Sequence, residues 1–187
     1  MNLLHRLYCR SRFWRWHVGV LLPWALEGIE LERAAVLELG PGPGLTTDWL
    51  LPRVGSLTCV EYDEADATAL ARRHPSVNVR HGDATALPFA PDSFDAIVCF
   101  TMLHHLPSAA AQDRLYAEAA RVLRARGIFA GSDNRSGPLL ALAHIGDTFT
   151  VVEPERLSTR LKVAGFGEVE IGARPDDFRF RARLRAR

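Results

Sequence analysis

The stretch that most constrains this chain is residues 36–50, VLELGPGPGLTTDWL, an apolar run that breaks on alternating glycines and resumes as a helical pattern near Thr46 or Thr47. Gly40, Gly42 and Gly44 admit positive φ, so the chain can turn tightly and bring its backbone close to a ligand. A strand, a glycine turn and a helix in that order open a βαβ unit. They place free backbone N–H groups of a helix N-terminus at the topological switch point of a doubly wound sheet. Alone, such a turn indicates a nucleotide-type site and no more.

The remaining segments supply a sheet around it. After AAVLEL come SLTCVE, VNVRH, FDAIVCF, GIFAGS, EVEIGA and FRFRARL, which makes seven candidate strands. Helical patterns fall at residues 46–51, 64–73 and 108–123, and a further helix runs from about 154 to 164, with Pro154 suited to a first turn and Gly165 to a stop. Alternating strands and helices require a parallel sheet with crossovers. Only RPDD separates the last two strands, too little for a crossover, so these form an antiparallel hairpin. The fold class expected is α/β, a Rossmann-like, doubly wound, seven-stranded sheet with an antiparallel last strand.

Residues 3–22 carry Leu4, Leu7, Trp14, Val18 and Leu22 at helical spacing, with Arg6, Arg10 and Arg15 off that stripe. We read residues 1–34 as an N-terminal helical cap and residues 35–187 as the core of one domain. One domain suits 187 residues that are 48% hydrophobic and 24% charged. A net charge of +1 argues against a general nucleic-acid binder. Cys9, Cys59 and Cys99 are odd in number, widely spaced and without a CxxC pair, which disfavours a disulfide scaffold or zinc knuckle. VGVLLPWAL is far shorter than a bilayer span and no cleavage pattern follows it, so a cytoplasmic location is expected. Of 23 basic residues 22 are Arg, a coding bias that suggests a bacterial source.

Two details sharpen the glycine turn. Leu45 stands where a dinucleotide fingerprint has its third glycine or alanine, which departs from the NAD pattern. Glu61 ends the second strand 21 positions after Gly40, where a carboxylate can accept both hydroxyls of a ribose. With VLELGPGPG, CVEYDEA, VRHGDATALPFAPDSFDAIVCFTMLHHL and RVLRARGIF in order, the chain resembles class I S-adenosylmethionine-dependent methyltransferases of the small-molecule, quinone-biosynthesis-like group. The resemblance runs from about residue 35 to the end.

It implies S-adenosylmethionine as cofactor, with S-adenosylhomocysteine as product. Under it, Glu38 would orient the loop and the methionine amino group, and Gly40 and Gly42 would pass close to the methionine portion. Glu61 would hold the ribose and Tyr62 would lie on the adenine. Asp83 would accept from the adenine amino group while the Ala84 N–H reaches a ring nitrogen. Phe100 and Thr101 would line the sulfonium end. RARG replaces the family's frequent Pro-Gly-Gly before the fifth strand, a change confined to a turn.

Methyl transfer from a sulfonium is an in-line displacement, in which the protein mainly aligns two reactants and excludes water; no metal is intrinsically required. A base is needed only where the acceptor must lose a proton. His105, and after it His104, are the best-placed candidates, with helix capping or packing as the structural role for one of them. Asp133 is a third candidate, to contact the acceptor or act as base, its structural role being an Asx turn. Asp133-Asn134 resembles the pair of metal-dependent catechol-type enzymes, but their partner aspartate is missing from CFTMLHH, so no metal site is expected.

The fourth strand lacks the (N/D)-P-P-(Y/F/W) motif of amino methyltransferases. Cys99 has no preceding proline, and no glutamate pair lies between Cys99 and Gln112. A small-molecule or lipid acceptor remains, without nucleic acid. Tyr8, Trp14 and Trp16 are candidate walls of its pocket, and the basic, aromatic N-terminus also suits reversible docking on a membrane. Arg179, Arg181, Arg183, Arg185 and Arg187 read as a solvated strand face with a frayed tail. The competing functions are a non-catalytic S-adenosylmethionine-binding sensor or partner subunit and a nicotinamide-dependent oxidoreductase, which Leu45 and Asp83-Ala84 count against.

Overall fold

The computed structural model describes residues 11–135, 137 and 148–186. Within them, helix α1 (Arg12–Ala25) is followed by β1 (Ala35–Leu39), α2 (Leu45–Leu50), β2 (Ser56–Glu61), α3 (Glu64–Arg73), β3 (Asn78–His81) and β4 (Phe94–Phe100). Then come a 3-10 turn (Leu103–His105), α4 (Ala109–Val122), β5 (Leu123–Asn134), α5 (Pro154–Val163), β6 (Phe166–Ala173) and β7 (Asp177–Leu184). The helix starts follow local chemistry. Ser11, Asp63 and Ser108 accept from the backbone N–H three residues on, at 3.0, 3.0 and 3.1 Å, and Pro154 opens α5 without needing a donor.

The sheet order is β3-β2-β1-β4-β5-β7-β6. Its first five strands run parallel, and β7 lies antiparallel between β5 and β6. The expected topology, hairpin included, is the observed one. At 124–127 the expected turn is drawn into β5 instead: the strand starts at Leu123, with a register shift against β4 and Arg126 at φ 64°. No helix links β3 to β4. Arg121 of α4 instead donates to Leu87 O (2.9 Å) and Phe89 O (2.7 Å), while Glu118 accepts from the Leu87 N–H (2.7 Å), so α4 holds that connection by its backbone.

Strand alternation splits the core. Val36, Cys59, Val98 and Phe100 join Val18, Leu21, Leu22 and Ala25 of α1 on one face. Leu37, Leu39, Ile97, Cys99 and Phe129 join Leu115, Tyr116, Leu157 and Leu161 of α4 and α5 on the other. Helix α1 is therefore part of the core on one face of the sheet.

The β7 arginines fasten it. Arg179 donates to Trp24 O (2.5 Å) and pairs with Glu27 (3.0 Å), Arg181 donates to Ala25 O (3.2 Å), and Arg174 stacks 4.0 Å over the Trp24 ring. Cations at the carbonyl end of a helix are favoured by its dipole and satisfy its orphan acceptors. This corrects the solvated-face reading for Arg179 and Arg181. Arg183 lies at the surface, 3.8 Å from Glu168, and Arg187 lies outside the described residues.

Candidate cofactor and acceptor site

The glycine turn emerges from the buried end of β1. Gly40, Gly42 and Gly44 have φ of 63°, 53° and 80°. A Cβ at Gly40 would overlap the Met102 side chain, whereas one at Gly42 would meet nothing within 4 Å. Gly40 is thus required by the protein's own packing, and Gly42 borders open space into which a ligand could come. The amides of all three are engaged internally: Gly40 N–H on Val60 O (2.9 Å), Gly42 N–H on Glu61 Oε2 (2.8 Å) and Gly44 N–H on Pro41 O (2.9 Å). The expectation of free donors does not hold for these three.

Glu38 lies on the α1 face of β1, 1% exposed. Its carboxylate accepts from the Thr46 and Thr47 hydroxyls, the latter at 2.6 Å, and from Cys59 Sγ at 3.4 Å. Burial pushes its pKa up, while the two hydroxyls and the thiol oppose the shift. These bonds pin the first turn of α2 to β1. Both oxygens are turned into the fold, so loop orientation is the role that the structure displays, and the expected contact with a methionine amino group is not prepared by it.

Glu61 ends β2, 8% exposed, with Oε1 accepting from the Asp63 N–H (2.9 Å) and Oε2 from Gly42. A carboxylate oxygen can take a second donor, so two hydroxyls could still be bound. Burial raises the Glu61 pKa, opposed by the two backbone N–H bonds and reinforced by nearby Asp66. The Tyr62 ring is 76% exposed. Asp83, beyond the end of β3, is exposed and closes an Asx turn on the Thr85 N–H (2.7 Å), with Ala84 half-buried beside it. Glu61 and Tyr62 thus stand at the carboxyl end of β2 and Asp83 beyond that of β3, and Glu61 is bonded to the glycine turn at Gly42.

At the end of β4 the residues behave differently from expectation. Phe100 is 6% exposed and packs in the core under α1, which corrects its expected place at the sulfonium end. Thr101 takes φ 50°, unusual for a β-branched residue, and is held there by its N–H on Ser132 O (2.8 Å) and its hydroxyl on Phe100 O (2.8 Å). The kink begins the turn that lays Met102 over Gly40 and carries both histidines. Met102 carried no sequence signal, because its role depends on contact with Gly40.

His104 is 3% exposed, with Nδ1 2.5 Å from Asp133 Oδ1 and its N–H on Asp133 Oδ2 (3.2 Å). This bond assigns the hydrogen of a neutral ring to Nδ1 and makes Nε2 its basic atom. Asp133 is fully buried and also accepts from the Asn134 N–H (2.7 Å). Its expected contact with an acceptor is corrected: it orients His104. His105, ranked first by sequence, is half-buried, its ring centroid 4.2 Å from that of His104. Gln112, fully buried, holds the turn through Leu103 O and Thr150 O (both 3.1 Å).

Trp14 is half-buried and stacks on His17 (5.0 Å), whose Nε2 is 3.8 Å from Asp177. Burial raises the Asp177 pKa and His17 opposes it. Trp16 is 63% exposed on the outer side of α1, which corrects its expected place in a pocket wall. Tyr8 lies outside the described residues. No described helix is long and apolar enough to cross a membrane.

Fold and site together define an α/β domain whose glycine turn and Glu61 stand at the carboxyl edge of its parallel strands. Residues 37–131, just over half of the chain, match the family described as "Methyltransferase domain", and the chain belongs to that family. It is a methyltransferase domain of the S-adenosylmethionine-dependent class.

Relatives include the "Probable S-adenosylmethionine-dependent methyltransferase" of Mycolicibacterium smegmatis, 35% identical over 94 residues that span 50% of this chain and 35% of that protein. The chain thus spans about a third of that relative's length. A ubiquinone biosynthesis O-methyltransferase of Xylella fastidiosa is 29% identical over 189 residues, covering 90% of this chain and 75% of that one. Among solved structures, a protein of Pyrococcus horikoshii superposes with TM-score 0.79 at 18% identity, over 95% of this chain and 94% of its own. A methyltransferase of Thermotoga maritima superposes with TM-score 0.75 at 19% identity, over 94% and 93%.

Proposed function

We propose that this chain transfers a methyl group from S-adenosylmethionine to a hydroxyl of a small, apolar or lipid-like acceptor, with His104 as general base. The observation that carries the reading is the buried His104–Asp133 pair in the turn after β4. When bound, the cofactor supplies an electrophilic methyl on a sulfonium. Glu61 would hold its ribose, Tyr62 its adenine ring and Asp83 its amino group, while Glu38 and the threonines of α2 keep the turn in shape.

His104 Nε2 would take the proton that the acceptor hydroxyl loses on methylation. Asp133 stabilises the imidazolium that results. Burial of the pair strengthens that interaction and keeps water from competing. The half-buried position of His105 favours a second reading, in which His105 meets the acceptor and His104 fixes the turn.

Two observations support the acceptor class. The Xylella relative is named as an O-methyltransferase of quinone biosynthesis. On α1, Phe13, Trp16 and Val20 are 57%, 63% and 45% exposed in an i, i+3, i+7 row beside exposed Arg12 and Arg15, a pattern suited to peripheral contact with a lipid surface. The engagement of Arg179 and Arg181 with α1 supports leaving nucleic acid out of this reading.

The test is methyl incorporation from radiolabelled S-adenosylmethionine into a panel of phenols, quinone precursors and lipids. Turnover that His104→Gln abolishes and His105→Gln preserves is the result expected. The reverse pattern selects the second reading. No turnover with any acceptor, in protein that binds S-adenosylhomocysteine, would make the chain a binding subunit.

A further inference from the structure

Arg73, near the end of α3, reaches back to the glycine turn. Nη1 donates to Pro43 O (2.8 Å), and Nη2 donates to Gly44 O (3.0 Å) and Asp48 Oδ1 (3.2 Å). His74 Nε2 lies 2.7 Å from the same Asp48 oxygen. One guanidinium therefore ties two successive carbonyls of the turn to α3. No sequence motif marks it, and none of the roles assigned above uses it.

Stability of α2 does not account for this placement. A cation near a helix N-terminus opposes the helix dipole, and α2 starts at Leu45, directly after the carbonyls Arg73 binds. Asp48, in the first turn of α2, offsets that charge. What the fork accomplishes is geometric. A turn with three positive-φ glycines has many accessible shapes when free, because glycine loses more conformational freedom on ordering than any other residue. Glu61 grips the turn at the Gly42 N–H, and Arg73 grips it at the Pro43 and Gly44 carbonyls. Peptide planes held at both ends cannot flip, and a planar two-pronged donor suits two carbonyls better than an ammonium does.

We infer that Arg73 is a positioning residue for the cofactor, holding the glycine turn in its ligand-ready shape before binding. The inference rests on the reading of that turn as the cofactor site. Preorganisation of this kind raises affinity by reducing the ordering left to the binding step.

The experiment is calorimetric titration of the chain and its Arg73→Gln, Arg73→Lys and Glu61→Ala variants with S-adenosylhomocysteine, alongside urea unfolding of each. Arg73→Gln should weaken binding about tenfold at an unchanged unfolding midpoint, since its contacts are surface hydrogen bonds whose net worth is small in the unliganded protein. Arg73→Lys should recover only part of the loss, and millimolar methylguanidinium should restore affinity to Arg73→Gln alone.

Wild-type affinity in Arg73→Gln, with Glu61→Ala weakened, would overturn the inference and leave the site intact. Wild-type affinity in both would overturn the site itself. A loss accompanied by a lowered midpoint, or fully restored by Arg73→Lys, would make Arg73 a general structural residue and overturn its positioning role.

Discussion

The two ends of this sheet edge are assembled in different ways. On the β1–β3 side, the strand end, the glycine turn and α2 are consecutive, and Glu38 finds its two threonine partners 8 and 9 residues away. On the β4–β7 side, His104 meets Asp133 across 29 residues, Asn134 meets Asp177 across 43, and Arg179 meets Trp24 across 155. The first side is mostly backbone geometry with a few carboxylates around it. The second is a set of side-chain pairs that exists only after the sheet has formed. A cofactor of fixed shape can be served by a fixed local turn, while an acceptor site assembled from distant pairs can change one partner at a time.

If the two sides are separable, His104→Gln should lower methyl transfer about 100-fold or more while S-adenosylhomocysteine binding stays within about twofold. Parallel loss of both, seen by calorimetry and labelled transfer on the same preparations, would break the division.

Glu61→Ala is the converse and should weaken cofactor binding by about 1.5–3 kcal/mol in a folded protein, because it also frees the Gly42 and Asp63 amides. Its pH dependence carries a sign. The ribose-accepting form is the carboxylate and burial raises its pKa, so affinity should fall on acidification through a window above the ordinary glutamate range. In the free protein, a raised folded pKa contributes stability that is present below the unfolded value and lost as pH rises through the folded one. Acid thus favours the unliganded fold at this group and disfavours the complex. Glu38 shifts in the same direction, so a binding profile that Glu61→Gln fails to flatten would reassign the effect to it.

Smaller effects should mark how the cap is joined. Arg179→Ala should destabilise the fold by about 1–2 kcal/mol in urea by removing the bond to the α1 carbonyl and the ion pair with Glu27, and leave cofactor affinity unchanged. A shift in affinity would show that α1 takes part in the cofactor side. Thr101→Gly should change stability least, by about 1 kcal/mol or less in the favourable direction, since relief of the φ 50° conformation is offset by the added freedom of glycine when unfolded. Strong destabilisation would mean that the Thr101 hydroxyl matters more than its backbone.

Much of this contrast could be read in advance on one side only. The succession of strands and helices, the hairpin and Glu61 at the end of β2 follow from period-two apolar runs, glycine spacing and connection lengths, all of them local signals. Trp16 was misplaced because helical spacing identifies a row of residues without saying which row faces the sheet, and Phe100 because a position at a strand end does not say which face its ring takes. His105 ranked above His104 for a similar reason: adjacent histidines in a turn are equivalent until one of them meets a carboxylate. The β7 arginines alternate as a solvent-facing row would, and only the arrival of the α1 carboxyl end turns two of them into caps.

By itself, then, the sequence determined the α/β class, the glycine turn at the carboxyl end of β1 and the residue types around it, since these depend on conformational preference and hydrophobic period within short stretches. Tertiary structure alone decided that Asp133 serves His104, that Arg73 and Glu61 hold the turn from opposite sides, and that Arg179 and Arg181 anchor the cap. Each of these is a pairing of charged or polar groups across sequence distance, and such a pairing acquires its strength when burial of the intervening core brings the partners within hydrogen-bonding range.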